Sequence, residues 1–223
     1  MEECTFIVSG GAVDSDFLAG ELKKATKKTI IAADRGLEAC LLLAQKGDFL
    51  PDYVIGDFDS LAADQGKTLQ TLQKQGTQVI RLNPIKDDTD TEAALRLAFE
   101  KTVGDIYIFG GTGTRLDHVL GNLSILIQGF DRGRSVLLID PWQRIRMIRG
   151  EWRLPRQQQF GKYVSVFPWG GAASGVTLEG FAYPLQDVVL EGTTSLGVSN
   201  EITGELGRIL VRDGTLLVVE SRD

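Results

Sequence analysis

The chain has 223 residues, 43% hydrophobic and 24% charged, the balance of a globular protein long enough for one large domain or two small ones. Thirty acids against 24 Lys and Arg leave a formal charge of -6, which argues against general nucleic-acid binding. One His and two Cys without ligand spacing exclude an ordinary zinc site and leave a Ser-His-Asp or Cys-His centre with His118 alone.

No apolar run approaches the roughly 20 residues of a membrane span. Met1-Glu2-Glu3 is acidic, unlike a secretory signal. Two unpatterned cysteines, Cys4 and Cys40, fit a reducing compartment, so the expected location is the cytoplasm, with no membrane and no nucleic acid as partners. Carboxylates, hydroxyls and backbone amides must then carry any chemistry, and these suit a hard cation such as Mg²⁺.

The first apolar run, residues 6–8, ends in Ser9-Gly10-Gly11, which could form a minor anion-binding turn. Residues 29–33 form a second, closed by Asp34-Arg35-Gly36 and followed by a helical pattern over 37–45. Residues 53–55 run into Gly56-Asp57-Phe58-Asp59-Ser60. A polar helix over 63–75, a strand over 78–82, a loop to 88 and a helix over 90–102 follow. Residues 106–109 are closed by Gly110-Gly111-Thr112-Gly113-Thr114 before a helix over 116–127, and 135–139 is a sixth strand. This alternation predicts an α/β fold: a doubly wound, mostly parallel sheet over residues 1–142.

Beyond Asp140-Pro141 no helical period lasts three turns. Short β-rich runs at 163–167, 175–178, 188–190, 208–211 and 215–220 predict a C-terminal all-β, sandwich-like domain over residues 143–223. Asp213-Gly214 between the last two predicts a two-residue hairpin. Five arginines, at 144, 146, 149, 153 and 156, stand against Glu151 alone. They read as a solvated edge strand or as a phosphate- or partner-binding surface.

In an open α/β sheet, ligands bind beyond the carboxyl ends of the strands. Acids fall at that edge repeatedly: Asp34, Asp57 with Asp59, Asp87 with Asp88 and Asp90, then Asp117. The i, i+2 spacing of Asp57 and Asp59 sends both carboxylates to one side and Phe58 to the other. Either they cap the following helix or, with Asp90 as a third acid, they hold Mg²⁺ beside substrate phosphates. Thr89-Asp90-Thr91-Glu92 has capping-box spacing, which leaves Lys86 and the crowding of the aspartates unexplained. Lys86 beside acids suits a polyphosphate. In the Gly110–Thr114 turn, converging N–H groups, the helix N-terminus and Arg115 suit an anion, although neither a Walker loop nor a dinucleotide fingerprint is present. His118 reads as a hydrogen-bonded structural residue. The residues alone point to phosphoryl-type transfer from a nucleotide polyphosphate with Mg²⁺.

Taken together, the motifs resemble the thiamine pyrophosphokinase family in its bacterial form. The resemblance rests on Ala33-Asp34-Arg35-Gly36, the segment from Pro51 to Ser60, the segment from Lys86 to Glu92, residues 110–118, and Ser195-Leu196-Gly197-Val198-Ser199-Asn200-Glu201. It implies transfer of a pyrophosphoryl group from ATP to the hydroxyethyl of thiamine, with release of AMP, in a homodimer whose active sites lie at the subunit interface. The resemblance implies Asp57, Asp59 and Asp90 as Mg²⁺ ligands and catalytic residues. Asp34, Lys86, Thr89, Gly111, Thr112, Gly113, Arg115 and Asp117 match positions around ATP. Ser199, Asn200 and, more loosely, Tyr183 match positions at thiamine. Arg35 departs from the Gly of many members, and Lys86 from the Gln of animal members. One alternative keeps the chemistry, as Mg²⁺-dependent pyrophosphoryl or phosphoryl transfer to another heterocyclic alcohol; another, of a different class, is a nucleotide- or thiamine-binding protein without turnover.

Overall fold

Strand β1 (Glu3–Val8) is buried at five of its six positions, so it needs cover on both faces. The computed structural model describes residues 2–46, 49–58, 63–83 and 87–223. The order continues α1 (Ser15–Lys24), β2 (Lys27–Ala33), α2 (Gly36–Gln45), β3 (Tyr53–Gly56), α3 (Ala63–Lys74) and β4 (Gln78–Arg81). Then come α4 (Asp90–Lys101), β5 (Asp105–Phe109), α5 (Leu116–Ile125), a 3-10 turn (Leu126–Arg132) and β6 (Val136–Ile139). These elements belong to a first compact unit, Met1–Pro141.

Its strands run parallel in the order β6-β5-β1-β2-β3-β4. The chain walks outward from β1 to β4, then returns to lay β5 on the other side of β1. The strand order therefore reverses between β1 and β5, and a crevice opens there at the carboxyl ends of the strands. Phe6, Ile7, Ile31, Ile106, Ile108 and Leu138 fill the core, with Phe6 stacked on Tyr107 at 5.6 Å between ring centroids.

Helix α1 is absent from the pattern read in the sequence. Its ten residues include Gly20, which mutes the period. Two local signals remain: Asp14 Oδ1 accepts from the N–H groups of Asp16 and Phe17 at 3.0 and 2.8 Å, and Leu18 and Leu22 bury one face. No helix among the described residues is long and apolar enough to cross a membrane.

The second unit, Trp142–Asp223, is antiparallel. It holds β7 (Gln143–Pro155), a 3-10 turn (Arg156–Gln158), β8 (Tyr163–Pro168), β9 (Ala173–Glu179), β10 (Leu185–Leu190) and β11 (Leu206–Ser221). Val164, Val166, Val176, Leu178, Ile209 and Leu216 share one apolar core.

The predicted hairpin at Asp213-Gly214 does not form, because β11 runs on through it. Val211 pairs with Gly150 and Leu216 with Ile148, so residues 212–215 stand opposite Arg149 alone. Gly214, at φ +97°, absorbs a bulge instead of a reversal. On its other side β11 pairs with β9 up to Asp213 and with β8 from Leu216 onward. A bulged strand that changes partners in this way turns a corner of a sandwich.

The arginine-rich segment is β7, paired along its length with β11. Arg144 forms a two-point ion pair with Glu220 at 2.8 and 2.7 Å. Glu220 is fully buried and also accepts from the Phe160 N–H at 2.9 Å. Arg146 lies over the Trp152 ring, Arg149 donates to Thr215, and Arg153 and Arg208 both reach Glu151. Partners within the second unit thus engage arginines that, from the sequence, also fitted a phosphate surface.

Candidate active site

The turn after β1 and the turn after β5 meet at the reversal point. Gly11 N–H donates to the Gly110 carbonyl at 3.1 Å, and a Cβ on Gly11 would collide with that carbonyl. Gly36, at the start of α2, abuts the Val8 carbonyl as closely. The glycines at these three points let backbone pack on backbone. Ser9 Oγ and Thr91 Oγ1, both buried, share a hydrogen bond of 3.0 Å that ties the β1 turn to the start of α4.

A cavity of about 340 Å³ opens there, and its wall includes Asp34, Thr89, Asp90, Gly111, Gly113 and Arg115 from among the predicted residues. His118 and Asn122 line it as well. Asp59 and Lys86 lie outside the described residues. Ser199, Asn200 and Tyr183 belong to the second unit.

Asp34 sits at φ +50°, a left-handed backbone that side chains seldom adopt. Phe58 at +58° and Ser199 at +55° share it, so three of the four described non-glycine residues with positive φ fall within predicted site segments. Such strain gathers at functional sites. Burial pushes the Asp34 carboxyl above its ordinary range, and the negative charges of Asp90 and Asp57 push it further, against a lowering hydrogen bond from the Arg35 backbone. Phe58 is buried under Arg81, 5.4 Å from its ring, and Asp57 beside it is half-buried.

Three mutually repelling carboxylates with hard oxygen donors suit a divalent cation. Among the described residues no three acidic, His or Cys groups already form a cage.

Thr89 caps α4 by accepting from Glu92 N–H at 3.2 Å. The Glu92 carboxylate accepts from Gln128 at 2.8 Å. Asp88 pairs with Arg96, while Asp90 faces the cavity. Of the crowded acids, one is therefore structural and one belongs to the site.

In the turn after β5, the backbone N–H groups of Thr112, Gly113, Thr114 and Arg115 meet no acceptor among the described residues. Four successive donors lead into the start of α5, and Gly113, Thr114 and Arg115 among them line the cavity, where an anion would find them. The Thr112 hydroxyl is engaged by Asp140, so this residue can offer an anion only its N–H. Arg115 grips Asp117 through Nε at 3.2 Å and Nη2 at 2.5 Å, with both side chains exposed. The Arg115 hydrogen bond lowers the Asp117 carboxyl, with a smaller contribution from the His118 N–H.

His118 is exposed on the cavity wall instead of serving as an internal structural group. Sequence reasoning also passed over Asn122 and Thr91. For Asn122 a signal existed, since i, i+4 spacing puts it on the His118 face of α5.

In the second unit, Asn200 is 2% exposed. Its Oδ1 accepts from Tyr183 N–H at 2.9 Å and Glu201 N–H at 3.0 Å, and its Nδ2 donates to the Tyr183 carbonyl at 2.7 Å. Ser199 N–H donates to Ser165 Oγ at 2.9 Å. The Asn200 carboxamide thus holds the Tyr183 backbone, and Tyr183 is 71% exposed.

Comparison with known proteins follows the same division. Residues 21–138 match the family described as thiamin pyrophosphokinase, catalytic domain, and residues 151–216 match thiamin pyrophosphokinase, vitamin B1 binding domain. Thiamine pyrophosphokinase of Bacillus subtilis (strain 168) is 31% identical over 194 residues, covering 86% of this chain and 87% of that protein. The crystal structure of thiamine pyrophosphokinase from Bacillus subtilis superposes with a TM-score of 0.85 at 28% identity, over 99% of each chain. That of thiamin pyrophosphokinase from Geobacillus thermodenitrificans gives 0.82 at 30% identity, over 99% of this chain and 98% of the other. The chain belongs to the thiamin pyrophosphokinase family.

Proposed function

We propose that this enzyme transfers a pyrophosphoryl group from ATP to the hydroxyethyl oxygen of thiamine, giving thiamine diphosphate and AMP. The observation that carries the reading is a run of N–H groups without acceptors among the described residues, of which those of Gly113, Thr114 and Arg115 belong to the wall of a cavity that also holds Asp34 and Asp90. Donors for a polyphosphate and acids for its counter-cation meet at one point.

The first unit is the ATP- and Mg²⁺-binding domain, and the second is the thiamine-binding domain. Thr112, Gly113 and Arg115 hold phosphate oxygens through backbone N–H groups, with Gly111 shaping the turn. Asp117 orients the Arg115 guanidinium, and Lys86 adds a positive charge. Asp34 and Thr89 line the nucleotide side. Asp57, Asp59 and Asp90 would hold Mg²⁺, which when bound neutralises charge on the transferring phosphates. The remaining work is alignment of the thiamine hydroxyl, the β-phosphorus and the leaving AMP.

Ser199 and the Tyr183 ring face the pyrimidine of thiamine, and Asn200 contributes by fixing Tyr183. The working form is a cytoplasmic homodimer with its active sites at the subunit interface.

Incubation with ATP, Mg²⁺ and thiamine tests the reading. AMP and thiamine diphosphate should appear in equal amounts. ADP as the nucleotide product would refute pyrophosphoryl transfer.

A further inference from the structure

We infer that Asn122 is a positioning residue that sets the orientation of the phosphate-binding turn. This rests on the nucleotide reading of the same cavity and assigns a part of it that the motifs leave out.

Asn122 sits on α5, 7% exposed, and its Nδ2 donates to the Gly111 carbonyl at 2.9 Å. In a trans peptide the C=O and the following N–H point in opposite directions. Holding the Gly111 carbonyl toward α5 therefore turns the Thr112 N–H away from it, and that N–H has no acceptor among the described residues.

Without such a hold the turn has little to fix it. Gly110, Gly111 and Gly113 have no side chains to resist rotation of the peptide planes. A Cβ on Gly111 would crowd Asn122 Nδ2 at 3.2 Å and collide with Leu138, so glycine at 111 leaves the carboxamide room to reach this carbonyl. The engaged Thr112 hydroxyl fixes the next link. One buried donor thus selects one orientation of the Gly111–Thr112 peptide plane.

The test uses the full-length protein and N122D, which keeps the shape of the side chain but replaces the donor with an acceptor. ATP affinity, measured by calorimetry at neutral pH, should fall by about ten- to a hundredfold, as for a lost buried hydrogen bond. KM for thiamine should stay unchanged. The wild-type-to-variant ratio of ATP affinity should shrink as pH falls, because the protonated carboxyl regains a donor for the Gly111 carbonyl. Asp34, Asp90, Arg115 and His118 are the charged and ionisable side chains that share this cavity, and they are present in both proteins.

Unchanged ATP affinity, or a loss independent of pH, overturns the positioning role. Wild-type protein that fails to bind ATP overturns the nucleotide reading instead. If N122D does not fold, NMR of the wild type decides. The Asn122 side-chain amide protons should shift with the Thr112 and Gly113 amides when ATP is added, and an unmoved Asn122 signal refutes the proposal.

Discussion

Gly110→Ala probes the contact between the two glycine turns. Gly110 has φ +69°, and a Cβ there would stand 2.6 Å from the Ser9 carbonyl oxygen and 2.9 Å from Val13 Cγ2. Ordinary contact begins at 3.4 Å, so the turns after β1 and β5 must part by about 0.8 Å. The left-handed backbone adds roughly 1–2 kcal/mol for a residue with a Cβ. Overpacking adds about 1–3 kcal/mol. For a chain of this size each kcal/mol lowers Tm by about 2–4 °C. A displacement approaching 1 Å among groups that align a reaction costs on the order of a hundredfold in rate. Gly110→Ala should therefore lower Tm by several degrees and cut AMP formation at saturating ATP and thiamine by about a hundredfold. Gly20→Ala, on a face of α1 where a Cβ meets nothing within 4 Å, should keep full turnover and gain about 0.5–1 kcal/mol. Turnover within threefold of wild type for Gly110→Ala would refute the argument that apposition of the turns sets the site.

Asp57→Asn and Asp90→Asn should each lower turnover by at least about a hundredfold. Near wild-type activity in both would refute the cation assignment. Glu220→Gln leaves Arg144 partly buried without its counter-charge and should cost about 3 kcal/mol, read as a Tm fall of roughly 6–12 °C. A shift within 1 °C would show that the pair adds nothing. Glu151 is held down to about 2, first by its hydrogen bond to Arg208 and then by Arg153. A depressed carboxyl stabilises the fold above its unfolded value of 4.5 and loses that contribution as pH falls toward 2. The Tm gap between wild type and Glu151→Gln should therefore be constant above that window and close within it; a gap that widens on acidification contradicts the sign.

The parallel half of the fold was legible because each buried strand is a continuous apolar run, and period and punctuation agree there. Helix α1 was missed because Gly20 interrupts a short helix. Asp213-Gly214 misled for a related reason. The dipeptide permits positive φ, but whether that freedom makes a reversal or a bulge depends on β7 pairing on both sides of it. The Asp34 segment was legible as chemistry and the Ser199 segment only through the family resemblance, but in neither was the strained backbone legible.

The sequence by itself determined the strand alternation of the parallel half, its acid-rich strand ends and its glycine turns, because these depend on local pattern and on charge. Only the tertiary structure decided which acids share a cavity and which are paired away. Asp88 is taken by Arg96, the arginines of β7 by partners in the second unit, and Asn200 by Tyr183. It also revealed Asn122, whose importance depends on a carbonyl eleven residues earlier in the chain. The physical reason is that hydrogen bonds and ion pairs reward proximity in space, and proximity across the β1–β5 reversal is set by packing that no local segment encodes.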